Sequence, residues 1–262
     1  MADYALAMNA PPFDCLIPDW PAPANVRALC STRDGGASTG AYAGLNLGLH
    51  VGDDPGTVQT NRQRLQAAMG VRAVFLNQVH GHDVLELGRS THHGLQADGA
   101  FTTESGVACT AMVADCLPVL LCDVRGQSVA AVHAGWRGLL GVEGQGVLES
   151  AIAAMAVQGC ELLAWLGPCI GPQAFEVGDE VRAAFVDPAP QTGACFRPGA
   201  PTKWLADLPA LARQRLAGAG VQGIYGNDGT PPWCTVANPS RFFSHRRDGI
   251  SGRMAASIWR VD

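Results

Sequence analysis

The 262-residue chain has few charged side chains, few aromatic ones and no long hydrophobic run. Charged residues make up 16% and aromatic residues 6%, against 47% hydrophobic residues, a composition that excludes intrinsic disorder. The net charge is -5, so there is no basic excess of the kind that marks a general nucleic-acid binder. No apolar stretch approaches the roughly 20 residues that span a bilayer. These absences predict a folded protein that binds neither nucleic acid nor a membrane.

Signals for secretion are missing as well. The first residues contain no basic region followed by an apolar stretch, which a signal peptide requires. The nine cysteines are an odd number at irregular spacings, and several lie inside apolar runs. A disulfide framework is therefore not expected. The sequence predicts reduced thiols and a cytoplasmic location.

Two apolar, strand-like runs in the middle of the chain each end in a reactive side chain. Cys116 lies between the apolar residues 112–113 and 118–121, and His133 closes the run 129–132 just before a Gly-rich segment. Short apolar runs bounded by turn residues are typical of buried strands, whose ends carry functional groups. A thiol and an imidazole at neighbouring strand ends can hold a metal or act as a nucleophile and its base.

A second histidine segment adds a third reactive group. His80 and His82 alternate after a short apolar run, so on a strand they would share a face. His80, Cys116 and His133 together would give zinc three ligands and an open fourth position, the catalytic form of such a site. No Cys-x-x-Cys or His-Glu-x-x-His motif is present. The residues alone therefore leave open a Cys–His hydrolase, and a buried structural cysteine beside a core histidine.

Arginines in Gly-rich or polar segments are candidates for anion binding. Arg33 lies in the polar loop 31–38, and Arg137 follows the strand that ends at His133. Loop N–H groups, a helix N-terminus and a guanidinium can bind a phosphate together. The Gly-Lys-Ser/Thr ending of a nucleotide-hydrolase phosphate loop is absent. For Arg33, and for Arg246 in the arginine cluster near the C-terminus, an ordinary solvated surface is the alternative interpretation.

The elements alternate without a clean strand–helix–strand period. Apolar spacing and caps predict helices at 55–69, 143–157, 178–185 and 208–217, and strands at 26–30, 74–76, 162–166, 221–225 and 252–259. Residues 98–101 are expected to form a turn and residues 135–141 a loop. The pattern predicts an α+β fold with a mixed β-sheet core flanked by helices.

A series of short motifs covers nearly the whole chain in order, and together they are highly specific. They are Thr-Arg-Asp-Gly-Gly (32–36), Leu-Asn-Leu-Gly (45–48), Asn-Gln-Val-His-Gly (77–81), Ala-Asp-Cys-Leu-Pro-Val (114–119), Ala-Val-His-Ala-Gly-Trp-Arg-Gly (131–138), Leu-Gly-Pro-Cys-Ile-Gly-Pro (166–172), and Arg-Arg-Asp (246–248) with Gly-Arg-Met-Ala (252–255). In these motifs the chain resembles the YfiH-like family. That family was first labelled laccase-domain or polyphenol oxidoreductase, and its members are now described as purine nucleoside phosphorylases.

The resemblance implies a fold, a metal and a reaction. The fold would be the mixed one shared with bacterial toxin deamidases, built as a single catalytic domain over 1–262 with an extended N-terminal lead-in at 1–24. Zinc would be held by one cysteine and two histidines, which are here the catalytic residues His80, Cys116 and His133. The reactions would be phosphorolysis of adenosine, inosine, guanosine and methylthioadenosine, and deamination of adenosine. Substrate and phosphate are expected at Arg33, Asn46, Gln78, Arg137 and Arg246.

Two other functions remain as alternatives. A copper-linked, laccase-like polyphenol oxidase would need many more histidines than the three near the motifs, His80, His82 and His133. Copper is therefore possible but less expected than zinc. A Cys–His amidohydrolase acting on peptidoglycan precursors would use Cys116 and His133 without a metal. The expected partners are a purine nucleoside and phosphate, and the protein is expected to be a monomer or a homodimer.

Overall fold

The computed structural model describes residues 13–262, so residues 1–12 of the expected lead-in lie outside the described residues. In the described chain the strands are β1 Cys15–Leu16, β2 Val26–Ser31, β3 Arg72–Phe75, β4 Val84–Glu86, β5 Gly99–Thr102, β6 Val107–Val113, β7 Leu117–Asp123, β8 Val129–Ala134, β9 Leu162–Leu166, β10 Glu176–Gly178, β11 Phe196–Pro198, β12 Lys203–Ala206, β13 Gly223–Gly226 and β14 Met254–Arg260. The α-helices are α1 Pro55–Met69, α2 Trp136–Leu140, α3 Val147–Met155, α4 Asp179–Val186, α5 Leu208–Gly218 and α6 His245–Asp248.

Three sheets organise these strands. One has the order β1-β2-β14-β6-β3, a second the order β13-β9-β7-β8-β5-β4, and a small third sheet the order β10-β12-β11. The two large sheets are mixed, because β3 pairs parallel with β6, β4 with β5 and β13 with β9, while their other pairs are antiparallel. Mixed sheets with flanking helices confirm the predicted α+β class.

The two large sheets pack face to face and are covered by helices on their outer faces. Side chains alternate along a strand, so Leu120 and Cys122 of β7 face the five-stranded sheet across a shared core. Leu117 and Leu121 point the other way, into the core formed with α3, α4 and α5. Helix α1 covers the far face of the five-stranded sheet. The result is a layered α/β/β/α arrangement.

Local sequence signals account for the two longest helices. Asp54 caps α1, where its Oδ2 accepts the Thr57 N–H at 2.7 Å, and Gly70 ends the helix with a φ of 68°. Asp207 caps α5 in the same way, with its Oδ1 2.9 Å from the Ala210 nitrogen. Both helices were predicted within about one residue of these bounds, because capping and apolar spacing are both visible in the sequence.

Three local predictions were wrong. Residues 98–101 are not a turn, because strand β5 begins at Gly99, whose missing side chain admits the Val84 side chain of β4. Residues 135–141 are not a loop, since α2 occupies most of them. The predicted helix at 143–157 begins only at Val147, because Val142 and Gln145 exchange two backbone hydrogen bonds in a tight turn.

The chain crosses between the two large sheets immediately before Cys116. Strand β6 belongs to the five-stranded sheet and β7 to the six-stranded one, and three residues connect them. Asp115 makes the crossing with a φ of 97°, an uncommon value for a residue other than glycine. The described residues include no helix that is both long and apolar enough to cross a membrane.

Candidate active site

A cavity of about 390 Å³ opens beside the ends of β6, β7 and β8. Its walls come from seven regions of the chain. The lining residues are His50, Gln78, His80, Met112, Val113, Ala114, Asp115, Cys116, His133, Trp136, Arg137, Ile170, Phe175, Leu208, His245, Arg246 and Arg253. All three residues predicted to hold a metal are in this set, and so are three of the five residues predicted to bind substrate or phosphate.

Strand alternation places two of the reactive groups on one side of the sheet. His133 is on β8 with Val129 and Ala131, which face the core between the two large sheets. Its cross-strand partner on β7 is Pro118, and Cys116 precedes that strand by one residue. The imidazole and the thiol therefore emerge at the same edge of the space between the sheets.

His80 reaches the same place from a loop, so the shared face that His80 and His82 would have on a strand does not form. Its φ is 61°, in the left-handed region. The Asp98 carboxylate accepts three consecutive backbone N–H groups of this loop, from Val79 at 3.1 Å, His80 at 2.9 Å and Gly81 at 2.6 Å. These bonds turn the His80 side chain toward the cavity.

The three predicted metal ligands converge. The Cys116 Sγ lies 3.7 Å from the His80 Nε2, and the His80 and His133 ring centroids are 4.8 Å apart at an interplanar angle of 76°. One ligand atom from each residue lies within 4.8 Å of the other two. Among residues 13–262 this is the one group of three or more histidine, cysteine or acidic side chains with such a spacing, and His82 is not in it. The donors are in reach of a single ion.

Asp98 also fixes the second histidine. Its Oδ1 lies 2.7 Å from the His133 Nδ1, and both side chains are almost fully buried. The pair leaves the His133 Nε2 as the ring nitrogen available to the cluster. Sequence reasoning missed Asp98, because one aspartate before a glycine is indistinguishable from a turn residue.

The charges of the cluster depend on one another. Burial alone would raise the pKa of the Cys116 thiol, but the adjacent His133 and His80 outweigh it and lower the pKa to about 6. Burial would lower the pKa of His133, whereas the Cys116 thiolate and the Asp98 carboxylate raise it to about 9. A thiolate beside an imidazole is the form in which cysteine binds a metal or attacks a carbonyl.

Two glycines allow the loop and the strand end to approach this closely. A Cβ at Gly135 would lie 2.8 Å from the His80 Cδ2 and 3.2 Å from the Cys116 Sγ. At Gly138 it would lie 2.4 Å from the Gly81 carbonyl oxygen. Larger residues at either position would push the His80 loop off α2 and separate the three donors.

Three arginines line the cavity. The Arg137 guanidinium lies over the Trp136 ring, 4.3 Å from its centroid. Arg246 donates from Nη1 to the Glu176 carbonyl oxygen at 3.0 Å. Arg253 was not predicted as a site residue, and burial lowers its pKa. Three guanidinium cations beside the cluster of His80, Cys116 and His133 favour an anionic ligand.

Gln78 lines the cavity but is committed to the backbone. Its side-chain amide donates to the Met112 carbonyl oxygen at 2.8 Å and accepts the Met112 N–H at 2.7 Å. Both bonds tie the loop that carries His80 to the end of β6.

Asn46 and Arg33, two of the predicted substrate contacts, do not line the cavity. Asn46 is fully buried, and its Oδ1 accepts the Arg253 N–H at 2.9 Å, so it acts on the cavity through Arg253. Arg33 donates to the Pro239 and Ala43 carbonyl oxygens and packs over the Phe243 ring. The Arg33 guanidinium therefore holds chain segments together, a role that neither the predicted anion contact nor the alternative of an ordinary surface turn included.

The rest of the wall is apolar. Met112, Val113, Ile170, Phe175 and Leu208 also border the cavity. Apolar walls with a few converging polar groups are typical of small-molecule sites, and flat heterocycles fit them well. The arrangement therefore combines a nucleophilic or metal-binding centre, cationic side chains and room for an aromatic ligand.

Comparison with known proteins identifies the family of the chain. Residues 27–261 match the family model described as multi-copper polyphenol oxidoreductase laccase. The chain is 48% identical over 248 residues to the purine nucleoside phosphorylase PA4543 of Pseudomonas aeruginosa, covering 94% of this chain and 98% of that protein. It is equally similar, with the same coverage, to the purine nucleoside phosphorylase YfiH of Escherichia coli.

Solved structures resemble the whole fold. The crystal structure of Neisseria meningitidis protein NMB0706 superposes with a TM-score of 0.89 at 49% identity, covering 95% of this chain and 99% of that one. The Bacillus licheniformis hypothetical protein YfiH gives a TM-score of 0.83 at 28% identity, with 90% and 93% covered. By sequence and by fold, the chain belongs to the laccase-domain family, and its relatives in Pseudomonas aeruginosa and Escherichia coli are named purine nucleoside phosphorylases.

Proposed function

We propose that this protein is a zinc-dependent purine nucleoside phosphorylase with adenosine deaminase activity in the same cavity. The observation that carries the proposal is the convergence of His80, Cys116 and His133 in a cavity that arginines and apolar side chains also line. Residues 1–262 would act as one catalytic domain. The substrates would be adenosine, inosine, guanosine and methylthioadenosine.

The donor set fits zinc. One thiolate and two imidazole nitrogens are ligands that zinc prefers, and three protein ligands leave a coordination position open. Asp98 supports the fit, because metal-binding histidines usually donate their other N–H to a carboxylate. When bound, zinc would act as a Lewis acid toward the leaving purine or toward water.

The chain's own residues would bind and orient the reactants. Arg137, Arg246 and Arg253 supply positive charge for phosphate, which must approach the anomeric carbon of the ribose. The wall that includes Ile170 and Phe175 would hold the purine and keep water from the glycosidic bond. The names of the relatives support a nucleoside and phosphate as substrates.

One observation favours a second function. Cys116, His133 and Asp98 stand in the order of nucleophile, base and orienting carboxylate, which is the arrangement of a thiol hydrolase. That reaction would not require His80. The laccase description of the family is a weaker alternative, because a multi-copper enzyme needs several ligand clusters and the described residues hold one.

Metal analysis and product analysis separate these functions. Adenosine is incubated with the purified protein, with and without phosphate. About one zinc per chain, as the ligand set requires, with adenine and ribose-1-phosphate formed only with phosphate and inosine formed without it, supports the proposal. Loss of both activities in His80→Ala is expected. Metal-independent amide hydrolysis that survives in His80→Ala would establish the thiol hydrolase instead.

A further inference from the structure

Asp115, the residue before Cys116, joins three remote chain segments, two of which border the cavity. Its Oδ2 accepts the Arg246 N–H at 2.6 Å, and its Oδ1 accepts the Thr235 hydroxyl at 2.6 Å. Its carbonyl oxygen accepts the Ile170 N–H at 2.8 Å. The two side-chain partners are 131 and 120 residues away in sequence, so these bonds connect remote parts of the chain at the site.

We infer that Asp115 is a positioning residue for anion binding, which holds Arg246 in a defined place relative to the Cys116 thiol. The inference rests on the proposed function, because it takes Arg246 as a phosphate ligand. In this role the Asp115 carboxylate is committed to Arg246 and Thr235, and it would act on the anion through Arg246.

Asp115 fixes the part of α6 that carries Arg246. The helix has four residues and is too short to be stable by itself. Asp115 binds the Arg246 backbone, and the Glu176 carbonyl oxygen binds its guanidinium. The neighbouring Arg247 attaches the same helix by donating to the carbonyl oxygens of Thr235, Val236 and Phe242. Removing the Asp115 carboxylate would therefore release the Arg246 backbone, while α6 stays attached through Arg247.

The conformation of Asp115 also indicates a dedicated role. Its φ of 97° is disfavoured for residues with a side chain, and such strain persists when surrounding contacts impose it. A glycine would relieve the strain if the position served only as a turn. Instead, a buried carboxylate occupies it and uses both oxygens for short hydrogen bonds. The same crossing that aims Cys116 into the cavity thereby carries the support for Arg246.

Two substitutions separate the carboxylate from the backbone strain. In Asp115→Gly, the glycine adopts the positive φ without strain, but both carboxylate oxygens that accept hydrogen bonds are lost. In Asp115→Asn, the asparagine also adopts the positive φ. Its Oδ1 can accept the Arg246 N–H, and its side-chain amide can donate to the Thr235 hydroxyl. In zinc-loaded protein titrated with inorganic phosphate, the dissociation constant should rise about tenfold in Asp115→Gly and less than about twofold in Asp115→Asn.

A double-mutant cycle with Arg246→Ala tests whether the effect passes through Arg246. In the Arg246→Ala background, Asp115→Gly should change the phosphate dissociation constant by less than about twofold, since the cation it positions is gone. Additive losses, or an Asp115→Asn variant as weak as Asp115→Gly, would overturn the inference. Thr110→Val is the matched control, because it removes a buried hydroxyl that pairs with Ser257 between β6 and β14. It should lower thermal stability and leave phosphate affinity unchanged.

Phosphate binding and turnover are measured separately, so the two proposals fail separately. Phosphate binding with the expected coupling but no phosphorolysis would refute the proposed function and leave the role of Asp115 intact. Phosphorolysis with unchanged phosphate affinity in Asp115→Gly would refute only the role of Asp115. A wild-type protein that binds no phosphate would refute both.

Discussion

The two ends of the β7–β8 hairpin carry the same residue types in different surroundings. One end opens into the cavity and has Cys116, with Asp98 and Arg137 nearby. The other closes in a turn and has Cys122 and Asp123, with Arg125 beyond them. Because the strands are shared, differences between the ends come from what packs against each of them.

The two cysteines show the difference most clearly. The histidines around Cys116 outweigh its burial and lower its pKa to about 6. Burial raises the pKa of Cys122 to about 12, with the neighbouring Asp123 adding to the effect. Cys116 and Cys122 are only six residues apart, yet the first thiol is reactive and the second is inert.

The two carboxylates differ in the same way. Asp123 accepts the backbone N–H groups of Arg125, Gln127 and Ser128 and closes the turn. Asp98 also accepts three backbone N–H groups, but its loop carries His80 and its fourth partner is the ring of His133. A carboxylate that binds several N–H groups of one loop is a structural device at both ends. It gains a chemical role only where histidines are among its partners.

The largest expected effect is at the open end. Cys116→Ala should remove the bound metal and abolish both phosphorolysis and deamination, because the site loses its anionic ligand. Zinc content and product formation are measured together. Cys122→Ala is the control, expected to cost about 1 kcal/mol of stability through lost packing and to leave zinc and turnover unchanged. Full turnover in Cys116→Ala would show that the two ends do not differ as described.

Asp98→Asn should have the next largest effect. An amide offers one acceptor oxygen in place of the two that bind the His80 loop and His133, so the two ligands lose their orientation. Zinc affinity should fall about 10- to 100-fold. A competition titration with a chelator measures it. Unchanged zinc affinity would mean that Asp98 is as purely structural as Asp123.

Arg137→Ala should weaken the binding of phosphate more than the binding of the nucleoside. Losing one charge-assisted contact is expected to raise the phosphate KM about tenfold, with a smaller rise in the KM for deamination of adenosine. The matched variant is Arg125→Ala at the closed end, where the guanidinium forms an exposed ion pair with Glu161. That variant should change stability by about 0.5 kcal/mol or less and neither KM. Equal rises of both KM values in Arg137→Ala would assign the arginine to the nucleoside or the fold.

Asp123→Asn should affect stability alone. Weakening the hydrogen bonds that close the turn is expected to lower the free energy of unfolding by about 1–3 kcal/mol, with kcat and zinc affinity as in the wild type. Denaturant unfolding and steady-state kinetics of one preparation provide both measurements. A fall in kcat beyond the loss of folded protein would show that the closed end also contributes to the site.

Much of the fold could be predicted from local patterns. The helices α1 and α5 and the strands β9 and β14 follow from capping residues and from apolar periodicity, which report how a segment meets a core. The predicted bounds of helices and strands were wrong where glycines and turn residues dominate the sequence. Strand β5 and helix α2 are short, and their formation depends on pairing with β8 or packing against the His80 loop.

The sequence by itself determined which residue types meet at the site. Motifs and strand ends identified His80, Cys116 and His133, together with Arg137 and Arg246, as residues of one centre. The motif around each residue is local in sequence, and strand alternation decides which side of the sheet His133 faces.

Only the tertiary structure decided how these groups are held. Asp98 lies 18 residues from His80 and 35 from His133, and Asn46 lies 207 residues from Arg253. Loop residues have no periodicity, so the direction of their side chains is set by such long-range hydrogen bonds. For the same reason, Arg33 and Arg253 were indistinguishable as cations in the sequence, and the packing of the chain placed only Arg253 in the cavity.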